Sequence, residues 1–206
     1  MGPPLPSRPL GIVFFPETTQ PRISVQLYHD VCCPFSKKMF NTLFLKNTGL
    51  ANKYEKEQQV QFTWFPVPQP WHPQSAIMAE AVLSIQKTTP HKTWAFITAM
   101  YANQDNFFDD KVADMSRTAL YEGCAALAEG VGCDRAAFLK ELICTGEGNC
   151  GNGVTQSLKF YVKQHRKQGV HVTPTVFVNG IEAPQVSSGW SGAEWSEFLD
   201  GLLGSN

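Results

Sequence analysis

The segment of this 206-residue chain best suited to chemistry is Cys32-Cys33-Pro34-Phe35-Ser36, which lies between a strand pattern and a helix pattern. Pro34 suits the first helical position, because its φ fits a helix and its missing N–H would have no helical partner. Cys33 then lies at the N-cap, where unpaired N–H groups and the helix dipole stabilise a thiolate. The sequence therefore predicts that Cys33 is a nucleophile.

Ser36 follows Cys33 by three residues, so its hydroxyl and its backbone N–H are expected to point back at the sulfur. Lys37 and Lys38 add positive charge nearby. The structural alternative is that Cys33 is a small buried residue at a strand–helix junction, as free cysteines often are. A second motif is needed to decide between the two.

The elements that would hold Cys33 follow from hydrophobic periodicity. Alternation predicts strands at 23–28, 60–64 and 175–178, and Asn179-Gly180 predicts a hairpin turn leading into Ile181. Ser191 and Glu194 have the spacing of a capping box, which predicts a final helix. The intervening block shows helical spacing, with Asp134 as one N-cap; the expected helices are 76–85, 93–102, 113–128, 135–143 and 154–168.

This order predicts an α/β fold, with one mixed sheet covered by helices and a helical block inserted between its strands. The expected organisation is a proline-rich N-terminal segment at 1–22, a sheet domain at 23–70 and 169–206, and a helical insertion at 71–168. The block is an insertion rather than a tail, because strand patterns flank it on both sides.

The second motif is Thr173-Pro174, directly before the strand at 175–178. Together with the Cys-Pro helix start it resembles the thioredoxin superfamily, in which a cis-proline loop faces the active cysteine. The resemblance implies that Thr173 presents an unpaired backbone edge beside Cys33, where an extended peptide or glutathione would dock. It therefore favours the nucleophile over the buried residue.

Within that superfamily the chain is most similar to the DsbA-like group. The similarity rests on the segment 30–38, on Trp71-His72-Pro73, and on the helical motifs that follow. It implies a thioredoxin-like mixed sheet with a helical insertion domain, and thiol–disulfide oxidoreductase or isomerase activity. It also implies that Phe35, His72, Thr173 and Pro174 contact the substrate, which would be glutathione or a protein carrying a thiol or disulfide.

The usual redox motif of this group is Cys-x-x-Cys, whereas Ser36 occupies the fourth position here. A serine cannot resolve a mixed disulfide, so Cys33 alone is expected to exchange with a protein or with glutathione. Adjacent Cys32 is expected to pack, because a vicinal disulfide is strained. The expected enzyme is thus a monothiol, with no bound cofactor and with glutathione as a candidate co-substrate.

Two other functions stay open at this point. The segment 29–36 also resembles kappa-class glutathione transferases and chromene-carboxylate isomerases, which bind glutathione without exchanging disulfides. The third hypothesis is a redox-inactive binding module with a thioredoxin-like fold. Conjugation of an electrophile that survives Cys33→Ser would indicate the second function, and client binding unaffected by Cys33→Ala the third.

The remaining cysteines suggest packing or a local disulfide. Cys124 lies in an apolar helical stretch, and Cys133 precedes a helix cap. Cys144 and Cys150 bracket a glycine-rich segment that could close as a disulfide, which the sequence leaves open. The spacings do not match a paired-ligand zinc site, so no metal is expected. His171 lies in the segment before Pro174. The sequence is equally compatible with an exposed loop position for His171 and with a position close to Cys33.

Composition narrows the partners and the compartment. A net charge of −1 gives no electrostatic reason to expect a nucleic-acid partner, and no apolar run is long enough for a membrane span. The N-terminal residues lack the basic start and apolar core of a secretory signal. We therefore expect a cytoplasmic protein, with a secretory origin left open if a leader has been removed.

Overall fold

The computed structural model describes residues 4–14, 20–45, 50–56 and 59–205. The strands are β1 (Ile12–Val13), β2 (Ile23–His29), β3 (Val60–Pro66), β4 (Thr175–Val178) and β5 (Ile181–Glu182). The helices are α1 (Pro34–Phe40), α2 (Leu50–Lys56), α3 (Ser75–Thr88), α4 (Thr93–Ala102), α5 (Asp109–Val112), α6 (Arg117–Gly130), α7 (Arg135–Lys140), α8 (Thr155–Lys167) and α9 (Gly192–Gly204). Asn41–Leu45 continues α1 as a π-helix.

These elements belong to two units. The sheet unit comprises Gly11–His29, Cys33–Phe65 and the chain from Val170 onward. The helical unit comprises Asp30–Cys32, Pro66–Gly169 and residues 4–10. The division therefore passes between the two adjacent cysteines of the predicted active-site segment.

The sheet unit is built on β2, whose neighbours in the strand order β1-β3-β2-β4-β5 are β3 and β4. β2 and β4 are antiparallel, with Val25 opposite Val178 and Leu27 opposite Val176. Ile23, Val25 and Leu27 are buried, as alternation in a strand requires. The strand expected at 23–28 is confirmed.

The turn between β4 and β5 is the predicted hairpin. Asn179 and Gly180 both have positive φ, at 51° and 82°. A two-residue turn of this kind needs positive φ at both positions, which asparagine and glycine tolerate best. The turn places Val178 opposite Ile181, so Asn179-Gly180 fixes the register of the hairpin.

Buried apolar residues join the helices of the sheet unit to the strands. Met39, Leu43 and Tyr54 belong to one cluster with Trp195 and Leu199 of α9. The capping box that predicts α9 is present, since Ser191 Oγ accepts the N–H of Glu194 and the Glu194 carboxylate accepts the N–H of Ser191. The local signal thus starts the helix, and the apolar face of Trp195 and Leu199 binds it to the core.

β1 is an element that the sequence pattern does not predict. It is antiparallel to β3, with Ile12 opposite Trp64, and the N–H of Phe14 donates to the carbonyl of Phe62 at 2.9 Å. Two residues are too short to show alternation. Part of the proline-rich segment assigned to 1–22 therefore belongs to the sheet.

Gly11 controls the entry of the chain into β1, and we expect Gly11→Ala to be strongly destabilising. Its φ is +115°, and an added Cβ would overlap the side chain of Thr63 and lie 2.9 Å from the ring of Phe65. Strain and overlap together should lower the free energy of unfolding by about 2–4 kcal/mol, as measured by urea denaturation. Gly130→Ala is the matched control, because a Cβ there meets no atom within 4 Å. Equal stability of the two variants would contradict this account.

The helical unit is organised around α3, which contacts α4, α6, α7 and α8. Most residues of α3 from Ser75 to Ile85 are buried, including polar Glu80 and Ser84. A helix buried on several faces needs neighbours on each. The rings of Phe96 and Phe138, 5.9 Å apart, join α4 to α7 beside it. Among the described residues, no helix has the length and apolar character needed to cross a bilayer.

The predicted helices are confirmed in position, but two of their boundaries differ from the expectation. α4 spans the expected 93–102, and α8 lies within 154–168. The helix expected at 113–128 begins only at Arg117, because Ser116 Oγ accepts the N–H of Ala119 and caps it there. The helix expected at 135–143 ends at Lys140, and Asp134 caps it as predicted. Hydrophobic periodicity alone does not register such caps.

Candidate active site

Cys33 is the N-cap of α1, as the sequence predicts. Its backbone is extended, with φ −75° and ψ 122°, and its carbonyl oxygen accepts the N–H of Lys37 at 3.1 Å. Pro34 occupies the first turn, where a missing N–H costs nothing. Cys33 is 5% exposed and is therefore a buried residue.

Thr173 is the residue that the structure brings to Cys33. The Cys33 Sγ donates to the carbonyl oxygen of Thr173 at 3.3 Å, although 140 residues separate them. The Thr173–Pro174 peptide bond is cis, as expected, and β4 begins at the next residue. The hydroxyl of Thr175 donates to the carbonyl of Val172 at 2.7 Å and holds this turn. The two predicted halves of the site therefore meet within one unit.

Ser36 and Phe35 differ in their surroundings. Ser36 is fully buried on the inner face of α1, while Phe35 is 61% exposed. Val172, directly before Thr173, is also 51% exposed. Phe35 follows Cys33 by two residues and Val172 precedes Thr173, so both exposed side chains lie close in sequence to the Cys33–Thr173 contact. The basic residues Lys37 and Lys38 lie in the last turn of the same short helix.

The strand that leads into the site carries two buried polar rings. Tyr28 stacks on Phe65 with ring centroids 4.8 Å apart, and burial raises the pKa of Tyr28 to about 12. Burial lowers the pKa of His29 to about 3. Both side chains are therefore neutral at pH 7 and add no charge next to the loop that carries Cys33.

Asp30 lies three residues before Cys33 in the sequence, and sequence reasoning gave it no role. It is 2% exposed and accepts the N–H of Cys32 at 2.9 Å and the hydroxyl of Ser75. Its other oxygen lies 2.7 Å from Nδ1 of His72. The carboxylate thus holds the turn just before Cys33. The sequence signal available for Asp30 was its position directly after a strand and shortly before the Cys-Pro step. The signal was not sufficient, because the residues that bind the carboxylate lie more than 40 positions away in the sequence.

His72 lies in the helical unit, where Asp30 orients its ring. The hydrogen bond between Nδ1 of His72 and the Asp30 side chain, at 2.7 Å, fixes the ring. His72 is thus a tethered residue, in contrast to a surface loop histidine. Its side chain is 20% exposed.

Cys32 packs in the helical unit, as expected. Its sulfur accepts a hydrogen bond from Nε2 of Gln74 at 3.0 Å, and Gln74 also donates to the carbonyl of Phe107. No disulfide links it to Cys33. Gln104 donates to the carbonyl of Val31 at 2.6 Å. The side-chain amides of Gln74 and Gln104 therefore both bind the loop between β2 and α1.

The other cysteines fall into two classes. Cys124 and Cys133 are buried, and burial raises the pKa of both thiols, that of Cys124 to about 12. Cys144 and Cys150 are exposed thiols. His171 is exposed in the loop before Thr173. Across the described part of the chain, no group of histidine, cysteine and acidic residues could hold a metal ion.

The family of the chain follows from comparison with family models. The model described as Thioredoxin matches residues 21–200, which is most of the chain. The chain belongs to the thioredoxin family. The resemblance stated from the sequence is thereby confirmed, and so is the α/β class with a thioredoxin-like mixed sheet. The chain matches none of the curated proteins with which it was compared.

Solved structures share this fold at low sequence identity. A candidate protein-disulfide isomerase from Pseudomonas syringae is 21% identical with a TM-score of 0.71, over 92% of this chain and 97% of that one. MdbA, a thiol-disulfide oxidoreductase from Actinomyces oris, is 14% identical with a TM-score of 0.63, over 92% of this chain and 84% of that one. These neighbours share the thioredoxin-like fold of this chain over most of its length.

The cytoplasmic location expected from the sequence is wrong. Another neighbour is a periplasmic thioredoxin-like protein from Salmonella enterica, 14% identical with a TM-score of 0.54, over 90% of this chain and 86% of that one. The periplasmic location of this neighbour is the finding that points away from the cytoplasm. The expectation rested on the composition of the N-terminal residues, which reports on a signal segment and carries no information about the folded domain.

Proposed function

We propose that the chain is a thiol–disulfide oxidoreductase that works through a single nucleophile, Cys33. The observation that carries the proposal is the position of the Cys33 Sγ, at the N-terminus of α1 and 3.3 Å from the carbonyl oxygen of Thr173. A helix N-terminus is a common position for nucleophilic cysteines in proteins. Membership of the thioredoxin family supports the same chemistry.

The reaction is a pair of thiol–disulfide exchanges. The Cys33 thiolate attacks one sulfur of a disulfide; the S–S bond breaks, one thiolate leaves and takes up a proton, and a mixed disulfide forms on Cys33. A second thiol then attacks this mixed disulfide and returns Cys33 to the thiolate. Ser36 carries no sulfur, so the second thiol comes from another molecule. The net reaction transfers two electrons between substrates, and Cys33 is unchanged.

Thr173, Pro174 and Phe35 are assigned to substrate binding. An extended substrate that pairs with the backbone at Thr173 places its sulfur at Cys33, which is how strand addition combines affinity with position. Phe35 and Val172 offer exposed apolar surface to the residues flanking that sulfur. His72 is assigned to substrate binding as well, with its ring oriented by Asp30.

The substrates of such a reaction carry a thiol or a disulfide, and we propose glutathione as one of them. A monothiol needs an external thiol to release its mixed disulfide, and glutathione is a small thiol suited to a cysteine that is only 5% exposed. A protein disulfide would be the other substrate. Exchange needs no bound cofactor, because the electrons come from the substrate thiols.

Adduct formation with oxidised glutathione tests the proposal. The reduced protein is mixed with oxidised glutathione for short times, and a non-reducing digest locates the bound glutathione. We expect Cys33 to react at least about tenfold faster than the cysteine of an unstructured control peptide, although Cys33 is a buried residue. A Cys33 rate at or below that of the control peptide, or no modification at Cys33, would remove the basis of the assignment.

Introducing a second thiol should change how the mixed disulfide is released. Ser36→Cys creates the Cys-x-x-Cys spacing, in which the second cysteine attacks the mixed disulfide on the first. We expect the glutathione adduct on Cys33 to decay at least about tenfold faster without added thiol, and the peptide map to show an internal disulfide between Cys33 and the introduced thiol. Ser36→Ala is the control and should keep the long-lived adduct. An adduct of equal lifetime in both variants would contradict the expected geometry of α1.

A further inference from the structure

A second pair of cysteines lies in the helical unit, in the segment that joins α7 to α8. Cys144 and Cys150 are both exposed, whereas the other cysteines of the chain are buried. Five residues separate the pair, and no helix or strand includes any part of the segment 141–154. Neither thiol has a role in the function proposed above.

The ends of this loop are fixed to each other. The N–H of Gly153 donates to the carbonyl of Glu141 at 2.8 Å. The Lys87 ammonium joins both ends, with 2.6 Å to the Glu141 carboxylate and 3.1 Å to the carbonyl of Gly153. The residues between are therefore held as a closed loop by α3, whatever the state of the two cysteines.

Within the loop, the chain turns back so that Cys150 lies over Gly146. A Cβ on Gly146 would lie 3.0 Å from the Cβ of Cys150 and 3.4 Å from its sulfur. Gly148 makes the reversal with a φ of +60°. Gly146 follows Cys144 by two residues, so Cys150 packs against the segment that begins at Cys144. The thiol of Cys150 donates to the adjacent carbonyl of Gly151, at 3.3 Å.

We propose that Cys144 and Cys150 form a second redox site, a dithiol that closes to an intraloop disulfide. A disulfide needs Cα atoms about 4.4–6.8 Å apart. The fixed loop base and the reversal at Gly148 bring the two segments together, and the glycines between the cysteines let the backbone adjust so that the disulfide closes. The site is independent of Cys33 and of the exchange reaction proposed there.

The oxidant is a small disulfide such as oxidised glutathione. One loop thiolate attacks it, the S–S bond breaks, and one glutathione thiolate leaves while a mixed disulfide forms. The second loop thiolate attacks that mixed disulfide and expels the other glutathione thiolate. The loop loses two protons and two electrons, and one molecule of oxidised glutathione becomes two of the reduced form.

Closure would alter a neighbouring cavity of the helical unit. Cys144 lines a cavity of about 450 Å³ together with Arg117, Tyr121, Leu142 and Ile143. Oxidation replaces an accessible thiol on its wall by a disulfide and restrains the loop that carries Ile143. The state of the pair therefore sets both the reactivity and the mobility of that wall.

The test uses the Cys33→Ala protein, so that a failure of the proposed function does not affect it. The reduced protein is incubated with oxidised glutathione, and a non-reducing digest is analysed by mass. We expect a Cys144–Cys150 disulfide without bound glutathione, and at least about tenfold slower hydrogen exchange at amides 144–150 than in the reduced protein. The added variants Cys144→Ser and Cys150→Ser should each retain one stable glutathione on the remaining cysteine.

Two results would overturn the proposal. The first is a loop that carries two glutathiones, since it would show that each thiol reacts and the pair does not close. The second is a loop whose thiols remain fully alkylatable after oxidation. Either result leaves the rate of adduct formation at Cys33 in the wild-type protein untouched, so the two proposals fail separately.

Discussion

Cys33→Ala should abolish disulfide exchange while the protein stays folded. In a turnover assay that reduces a glutathione mixed disulfide, we expect the rate to fall at least about a thousandfold, to that of the uncatalysed reaction, because the nucleophile is lost. The fold should survive, because the change removes one sulfur and one hydrogen bond to the Thr173 carbonyl. Such a change costs about 1–2 kcal/mol of unfolding free energy.

Cys32→Ala is the matched control for this result. Cys32 is adjacent in sequence and also buried, but its sulfur is bound by Gln74 in the helical unit. We expect its turnover to stay within about twofold of the wild-type rate, with a similar small loss of stability. Loss of turnover in Cys32→Ala would instead indicate that the vicinal cysteine takes part in releasing the product.

Cys33→Ser separates the remaining alternatives. A serine hydroxyl preserves the hydrogen bond to Thr173 but is a poor nucleophile toward a disulfide. Exchange should therefore be lost as completely as in Cys33→Ala. If the variant still conjugated glutathione to an electrophile, the kappa-class function would explain the site better. If all three variants bound a client protein equally and the wild type showed no turnover, a redox-inactive binding module would be the better description.

The features that the sequence predicts well are those set by local chemistry. Pro34 after Cys33 fixes the start of α1, and Asn179-Gly180 fixes a hairpin. The side chains of Asp134 and Ser191 each accept the N–H of the residue three positions later and so cap the helices that begin after them. In each case the deciding atoms belong to neighbouring residues. The pairing of Cys33 with Thr173 spans 140 residues, and only the family resemblance brings those motifs together.

The features that the sequence misses depend on distant partners. Asp30 becomes informative only when Ser75 and His72 are seen to contact its carboxylate. β1 exists because β3 offers a partner strand, and two residues carry no pattern of their own. The break before α6 depends on whether the Ser116 hydroxyl caps the backbone or faces solvent, which periodicity does not reveal.

The protein should lose stability in mild acid, and His165 should account for a measurable part of that loss. His165 is buried on α8, and neither ring nitrogen has a hydrogen-bond partner in the described structure. Burial, together with nearby Arg166, lowers its pKa to about 4 from an ordinary 6.5. Between these values the unfolded chain binds a proton that the folded chain does not, so the free energy of unfolding falls as the pH falls.

The size of the effect follows from the two pKa values. At pH 5 the unfolded histidine is almost fully protonated and the folded one almost fully neutral, which costs the folded state about 2 kcal/mol. His165→Gln cannot take up this proton, and His165→Leu also removes the two unpaired nitrogens. Both variants should therefore gain about 2 kcal/mol over the wild type between pH 7.5 and pH 5, as measured by urea unfolding at each pH.

The comparison across pH carries its own control, because any change in packing at position 165 is present at both values. The acid sensitivity should not disappear altogether, since burial also lowers the pKa of His29, to about 3, and that group keeps its contribution. Gln and Leu differ in shape and polarity, so an equal gain in both would assign the effect to the proton. The opposite result is a free energy of unfolding that falls in parallel in the wild type and in His165→Gln from pH 7.5 to pH 5. It would show that His165 is protonated in the folded protein as readily as in the unfolded chain.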